Sequence, residues 1–276
     1  MIQAMTLPEH IIASNEHGIY CVPASSKSRP AAAAVLAGKV WERKTIGFMA
    51  EHCADGDIVH AGAYFGDFIP GLSKALHDRA HLWAFEPSSE NYACAQKTLE
   101  LNALSNTTLT HGALGSRAGI KLLRTGAPSY PAMGGASRVV RSEKPGFTHE
   151  NVHMVVLDDL VPENRPVAII QLDVEGFEKQ ALSGALQTVK RCLPILILET
   201  LPKDPDWFEE KILSLGYREI ATIHANKVCA VAPGLSSNYR GRMKGVWAGV
   251  VRLVVDFVSA ILGVGESKML KELSGS

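Results

Sequence analysis

The sequence lacks an excess of charge of either sign: 28 Lys and Arg stand against 28 Asp and Glu in 276 residues. Without a net positive field there is no long-range pull on a phosphate backbone, which argues against a dedicated nucleic-acid binder. Cysteine is scarce. The five thiols (Cys21, Cys53, Cys94, Cys192, Cys229) are odd in number, widely spread and without a Cys-x-x-Cys pair, which excludes a disulfide framework and a zinc ribbon. The first twenty residues hold His10, Glu16 and His17 and no apolar run, so no secretory signal is read there and a reducing cytoplasm is the expected compartment. Internal repeats and low-complexity tracts are missing too. What is present is an ordinary 46% of apolar residues, enough to fill the core of one larger domain.

From residue 55 to 232 short apolar runs alternate with amphipathic ones. Strands are predicted at 57–62, 81–86, 107–111, 167–173 and 195–199, rich in Val, Ile and Leu and without strict alternation, as in strands covered on both faces. Helices are predicted at 67–77, 88–101, 175–190 and 206–215. A closing hairpin is predicted from 217–223 and 228–232 around His224-Ala225-Asn226. This order implies an α/β fold, a mostly parallel sheet with helices on both faces. Three divisions are expected: an N-terminal segment 1–50, a central domain 51–235 and an apolar C-terminal segment 240–276. The stretch 126–150 holds Pro128, Pro131, Gly134, Gly135, Pro145 and Gly146, and reads as a long loop of the kind that carries function.

The most informative stretch runs from Asp57 to Asp67. A strand enters Gly62, and Gly66 follows at the opening of a helix, where free N–H groups and a bare backbone suit close ligand approach. Glu86 ends the next strand, in place to accept ribose hydroxyls. The spacing Gly-x-x-x-Gly departs from the G-x-G-x-x-G of dinucleotide sites. S-adenosylmethionine (SAM), which has no phosphate, tolerates the looser turn, and an NAD-linked oxidoreductase is the alternative.

Four features together resemble the FkbM family of SAM-dependent methyltransferases over residues 15–232. They are Val40-Trp41-Glu42 with Thr45, the Gly62–Gly66 turn, Ala84-Phe85-Glu86-Pro87 with Asn91, and Leu157-Asp158-Asp159-Leu160 followed by Gln171-Leu172-Asp173-Val174-Glu175-Gly176-Phe177-Glu178. Leu182, Gly184, Ala185, Pro194 and Glu199 continue the match in order. The resemblance implies a Rossmann-like class I methyltransferase fold, with seven strands in the order 3-2-1-4-5-7-6. It implies SAM as cofactor, bound by His60, Gly62, Ala63, Gly66, Glu86 and Ala113, and a glycan, sugar or other small-molecule hydroxyl as acceptor. N-methylation, or a SAM-binding scaffold without turnover, are the alternatives. The family usually has Asp where His60 stands, Asn where Tyr64 stands and Lys where Gln171 stands.

Methyl transfer to oxygen needs a base beside the reacting carbon. Asp173 at a strand end is the expected base, with Glu175 beside it as a second catalytic carboxylate or a helix cap. Glu178 reads as solvated or capping, Glu199 as a weaker candidate, and Ser137 and Arg138 as lining for the acceptor. His149-Glu150-Asn151-Val152-His153 has the spacing of a zinc-protease motif, but the β-branched run after it favours a strand. There the two histidines stand about 13 Å apart along the axis, too far to share one ion. Asp158-Asp159 reads as an acidic helix start, and no metal site is expected. The last feature is 245–264, where Gly245, Gly249, Arg252, Asp256, Ser259 and Gly263 form one helical stripe on an otherwise apolar run. It is expected to meet a membrane surface, or else to pack on its own domain or a second copy of the chain, with a true span as a further alternative.

Overall fold

The computed structural model describes residues 6–130 and 132–231. The apolar segment 240–276, with its stripe at 245–264, lies outside the described residues. Among the described residues no helix is long and apolar enough to cross a membrane.

The N-terminal segment forms a hairpin, β1 (His10–Asn15) and β2 (Gly18–Pro23), followed by α1 (Pro30–Leu36) and α2 (Arg43–His52). The hairpin is fastened to the body of the protein by Cys21 N–H donating to Thr98 Oγ1 (3.0 Å) and Ile19 N–H to Asn102 Oδ1 (3.0 Å). Then come β3 (Asp57–Ala61), α3 (Ile69–Ala75), β4 (Leu82–Glu86), α4 (Ser89–Leu101) and β5 (Thr107–His111). An insertion follows, made of β6 (Ala113–Leu114), β7 (Gly119–Gly126), β8 (Arg138–Val140) and β9 (Thr148–Val155). The chain continues through α5 (Leu157–Leu160), β10 (Val167–Leu172), α6 (Glu178–Ser183), α7 (Leu186–Cys192), β11 (Ile195–Leu198), α8 (Pro205–Lys211), β12 (Tyr217–Ile223) and β13 (Asn226–Val231).

The main sheet has seven strands in the order β12-β13-β11-β10-β3-β4-β5. β11, β10, β3, β4 and β5 pair in parallel, whereas β13 is antiparallel to both β11 and β12. The sheet is therefore mixed rather than mostly parallel, because the closing hairpin contributes two antiparallel pairings. Its central strands β3, β10 and β11 are buried along their whole length. The continuous apolar runs hide an alternation. Val59, Ala61, Ile170, Leu172, Leu196 and Leu198 pack on one face, and Ile58, Ile169, Ile195 and Ile197 on the other. Each Val, Leu or Ile among them contributes about 1.5–3 kcal/mol by leaving water.

Three expectations are corrected. The stretch around 126–150 is not one loop: β7, β8 and β9 build a second sheet in the order β6-β9-β7-β8, with β7 paired to β9 over most of its length. The helix predicted at 175–190 is split. Gly184 lies against the backbone of Gly115, where a Cβ would come within 2.0 Å of the carbonyl oxygen. The helix restarts as α7, whose Gln187 and Thr188 N–H groups donate to Asp158 (2.9 Å each). Asp158 is thus the cap of a distant helix as well as part of an acidic helix start. Third, the helix predicted at 206–215 ends as α8 at Lys211, giving way to a tight turn over Leu213–Leu215.

At the amino end of the sheet, Asp57 is fully buried and holds four donors. His81 N–H (2.9 Å), Trp83 Nε1 (2.8 Å), Arg165 Nε (2.8 Å) and Arg165 Nη2 (2.5 Å) all reach its carboxylate. Removing the acceptor strands a guanidinium and an indole N–H in a poorly solvated place. Asp57→Ala should therefore cost about 3 kcal/mol of stability. Urea unfolding should show a lower midpoint at unchanged slope; an unchanged midpoint would mean that water replaces the carboxylate at no cost.

Candidate functional site

Two chambers open at the carboxyl ends of β3, β4, β10 and β11, where ligands of open α/β sheets bind. The first is lined by Gly62, Phe85, Glu86, Pro87, Ala113, Leu114, Leu123, Ser137, Val139, Val174 and Phe177 among others. The second, of about 230 Å³, is lined by Arg29, Trp41, Glu42, His60, Tyr64, Asp67, Phe68, Gln171, Glu175 and Glu199 among others. Gly62, Gly135 and Asp173 border both.

The turn after β3 sets the first chamber. Gly62 has φ +90°, and a Cβ there would stand 2.0 Å from the carbonyl oxygen of Asp173. Only glycine admits both the dihedral and the contact. The N–H groups of Gly62 and Ala63 both donate to Phe85 O (3.0 Å each), tying the turn to β4. Gly66 has φ +86°, and a Cβ there would meet Thr98 at 3.3 Å. Ala63 and Gly66, expected among the cofactor contacts, line neither chamber: Ala63 packs in the core and Gly66 lets the turn close on α4. Gly62, Glu86 and Ala113 do line the first chamber.

Glu86 is 3% exposed. Its carboxylate accepts from Tyr64 N–H (2.7 Å), Ser88 N–H (2.8 Å) and Asn91 Nδ2 (3.3 Å). Burial pushes its carboxyl up to about 8 against the pull of these donors. A carboxylate has about four acceptor positions. Oε2 takes only one of the donors, so a position is left for an incoming hydroxyl.

His60 departs from its expected place. It lies in the second chamber, 2% exposed, its ring stacked on Phe68 at 5.2 Å and 8°. Nδ1 meets Gln171 Oε1, which can only accept, so the proton sits on Nδ1 and Nε2 carries a lone pair. Burial pushes the ring down to about 4. A neutral lone pair would repel the carboxylate of an aminoacyl group rather than hold it. Tyr64 stands at φ +50°, a conformation that Asn tolerates better than a bulky side chain. Its ring packs on Gly134 and Gly135, and its hydroxyl donates to Ser26 Oγ (2.6 Å).

Asp173 stands at the junction of the chambers. Its carboxyl is raised well above the usual range, first by burial and then by the charge of Glu199. Glu175, at φ +53°, pairs with Arg138 Nη2 (3.2 Å), and burial raises its carboxyl too. It is not the cap of α6, because Glu178 occupies that region. Glu178 is buried rather than solvated and accepts from Gly176 N–H (3.2 Å). Asp67 is 8% exposed, and burial pushes it up to about 7. Ser137 lines the first chamber and donates to Gly134 O (2.8 Å). The His149–His153 segment is extended within β9, where Glu150 accepts from Ser89 N–H (3.1 Å). Sequence reasoning missed Arg29, Asp67 and Glu42 as site residues. Only the family segment Trp41-Glu42 signalled any of them, because the N-terminal segment reaches the chamber through tertiary contacts alone.

This is an α/β architecture with one carboxylate shared between two chambers at the carboxyl ends of its strands. The model of the methyltransferase FkbM domain matches residues 60–219, and the chain belongs to that family. A crystal structure of methyltransferase FkbM from Methylobacillus flagellatus KT is similar at 20% identity and a TM-score of 0.43, over 63% of this chain and 42% of that one. The present chain thus spans less than half the length of that protein. A putative rRNA-methylase from Clostridium thermocellum is similar at 14% identity and a TM-score of 0.40, over 69% of this chain and 96% of that one. The tRNA (uracil-54, C5)-methyltransferase of Pyrococcus abyssi, in complex with S-adenosyl-L-homocysteine, shares 11% identity and a TM-score of 0.42, over 80% and 44%. A comparison with curated proteins finds no match.

The buried imidazole gives a prediction. Its ordinary value is 6.5 and the folded value about 4. In that window the unfolded chain binds a proton that the folded chain refuses. The contribution of His60 to stability is therefore full above pH 6.5 and is lost as pH falls toward 4. The span is about 3 kcal/mol. Unfolding free energies at pH 7, 5.5 and 4.5 should fall more steeply for the native protein than for His60→Asn; parallel curves would disprove the neutral buried ring.

Proposed function

We propose that the protein methylates a hydroxyl on a sugar, glycan or secondary metabolite, with SAM in the first chamber and the acceptor in the second. The observation that carries this is Asp173, which borders both chambers at the point where they meet. The residues present fit the cofactor. Glu86 keeps an acceptor position for a ribose hydroxyl, Leu114, Leu123 and Val139 offer an apolar slot for a base, and Gly62 leaves the turn open. SAM, when bound, supplies an electrophilic methyl group on a sulfonium.

The chain's own part is then positioning and proton removal. Burial and the neighbouring Glu199 raise Asp173 toward the range in which a carboxylate works as a general base, so it takes the acceptor's hydroxyl proton. Arg138 fixes Glu175 at the mouth of the second chamber. Phe85, Leu114, Leu123, Val139 and Phe177 give the first chamber a partly apolar lining. The expectation that no nucleic acid serves as acceptor rests on net charge alone. N-methylation is the second reading, favoured by the acids that line the acceptor side.

Calorimetry with SAM, S-adenosylhomocysteine and NAD tests the reading: the first two should bind, and binding of NAD alone would overturn it. Glu86→Ala should weaken SAM binding by about 1.5–3 kcal/mol, roughly ten- to a hundredfold; an unchanged dissociation constant removes Glu86 from the site. Asp173→Asn should lower turnover about 10²–10⁴-fold while SAM affinity changes little. If affinity collapses while turnover of the bound complex survives, Asp173 is a cofactor ligand instead.

A further inference from the structure

The second chamber holds more acid than its surroundings balance. Glu42, Asp67, Asp173, Glu175 and Glu199 line it, with Arg29 as the only cationic side chain among its lining residues and Arg138 paired to Glu175. Three of these acids converge. Asp173 and Glu175 follow β10 and Glu199 follows β11, and the parallel register Leu172↔Leu198 brings positions 173 and 199 side by side. One carboxylate oxygen from each of Asp173, Glu175 and Glu199 lies within 4.8 Å of the other two. Ligands about 2.0–2.6 Å from one ion stand within that spacing of each other.

A separate observation points into the same place. His60 pairs in register with Gln171, and Gln171 lies two residues before Asp173, so the imidazole projects on the sheet face that carries Asp173 and Glu199. The side chain is 2% exposed and lines the chamber, its Nδ1 is committed to Gln171, and its Nε2 has no hydrogen-bond partner. A buried, unsatisfied acceptor is costly unless a donor reaches it. Oε2 of Glu199 is also buried without a partner.

We infer that Asp173, Glu175 and Glu199 bind one divalent, oxygen-seeking cation, with His60 Nε2 accepting a hydrogen bond from a water that the cation holds. Three carboxylates suit magnesium, manganese or calcium better than a thiolate- or imidazole-preferring metal. The cation offsets the crowded negative charge, lowering the basicity that Asp173 has in the empty site, and would itself hold an acceptor oxygen and loosen its proton. That role rests on the methyl-transfer reading; the binding itself does not.

The test is a titration of the full chain with Mn²⁺ in the absence of SAM. Free ion is followed by electron paramagnetic resonance, with Mg²⁺ as competitor. One Mn²⁺ should bind per chain and be displaced by Mg²⁺. Glu199→Gln should weaken binding about tenfold or more, with His60→Asn giving a smaller loss. Both variants should keep the native circular dichroism spectrum and SAM affinity. No binding at millimolar Mn²⁺, or binding that Glu199→Gln and Glu175→Gln leave unchanged, overturns the site and returns the acids to an amine acceptor. Calorimetry with SAM on the same preparation separates the two ideas. Triad-dependent Mn²⁺ binding without SAM affinity supports the cation site and removes the methyl-transfer reading, and SAM binding without Mn²⁺ does the reverse.

Discussion

The carbonyl oxygen of Asp173 occupies the space that a side chain at position 62 would need, and both chambers follow from that contact. It brings the ends of β3 and β10 together, so the turn that faces the first chamber and the carboxylate that faces the second belong to one rigid junction. Glu86 is recruited to the same junction, because the turn's next N–H but one, that of Tyr64, points at its carboxylate. Loosening the contact would separate the two chambers at the place where they meet.

Much of the sheet was legible because its central strands are short apolar runs bounded by turn residues, and two outer strands, 107–111 and 217–223, were read to the residue. The strands of the insertion were not. β7 carries a mixture of apolar and basic residues, Gly119 to Gly126, and becomes a strand only by pairing with β9, which no local pattern announces. The break at Gly184 was hidden for a similar reason. An isolated glycine does not end a helix by itself, and the cause is the backbone of Gly115 arriving from the insertion.

The site divides in the same way. Glu86, Asp173 and Glu175 could be placed because each sits at or just past a strand end within a family motif. The second chamber could not, since part of its wall is delivered by Arg29, Trp41 and Glu42, which no local pattern places beside His60 and Tyr64. His60, expected among the cofactor contacts, lines the second chamber instead of the first. Position alone suggested a cofactor contact, whereas alternation along β3 turns the ring toward the other face. Net charge misleads in a comparable manner: a neutral chain still concentrates five acids around one small space.

Tyr64 has a consequence for how such a protein could change. Its backbone forms part of the turn after β3, its ring packs on Gly134 and Gly135, and its hydroxyl holds Ser26. A wall of the second chamber and the turn that borders the first are thus one residue deep. Variation that enlarged the second chamber at this point would also reset the turn. On the proposed reading, acceptor range and cofactor affinity would be linked traits, and a lineage adapting to bulkier acceptors would have to alter the insertion or residues 29–42 first.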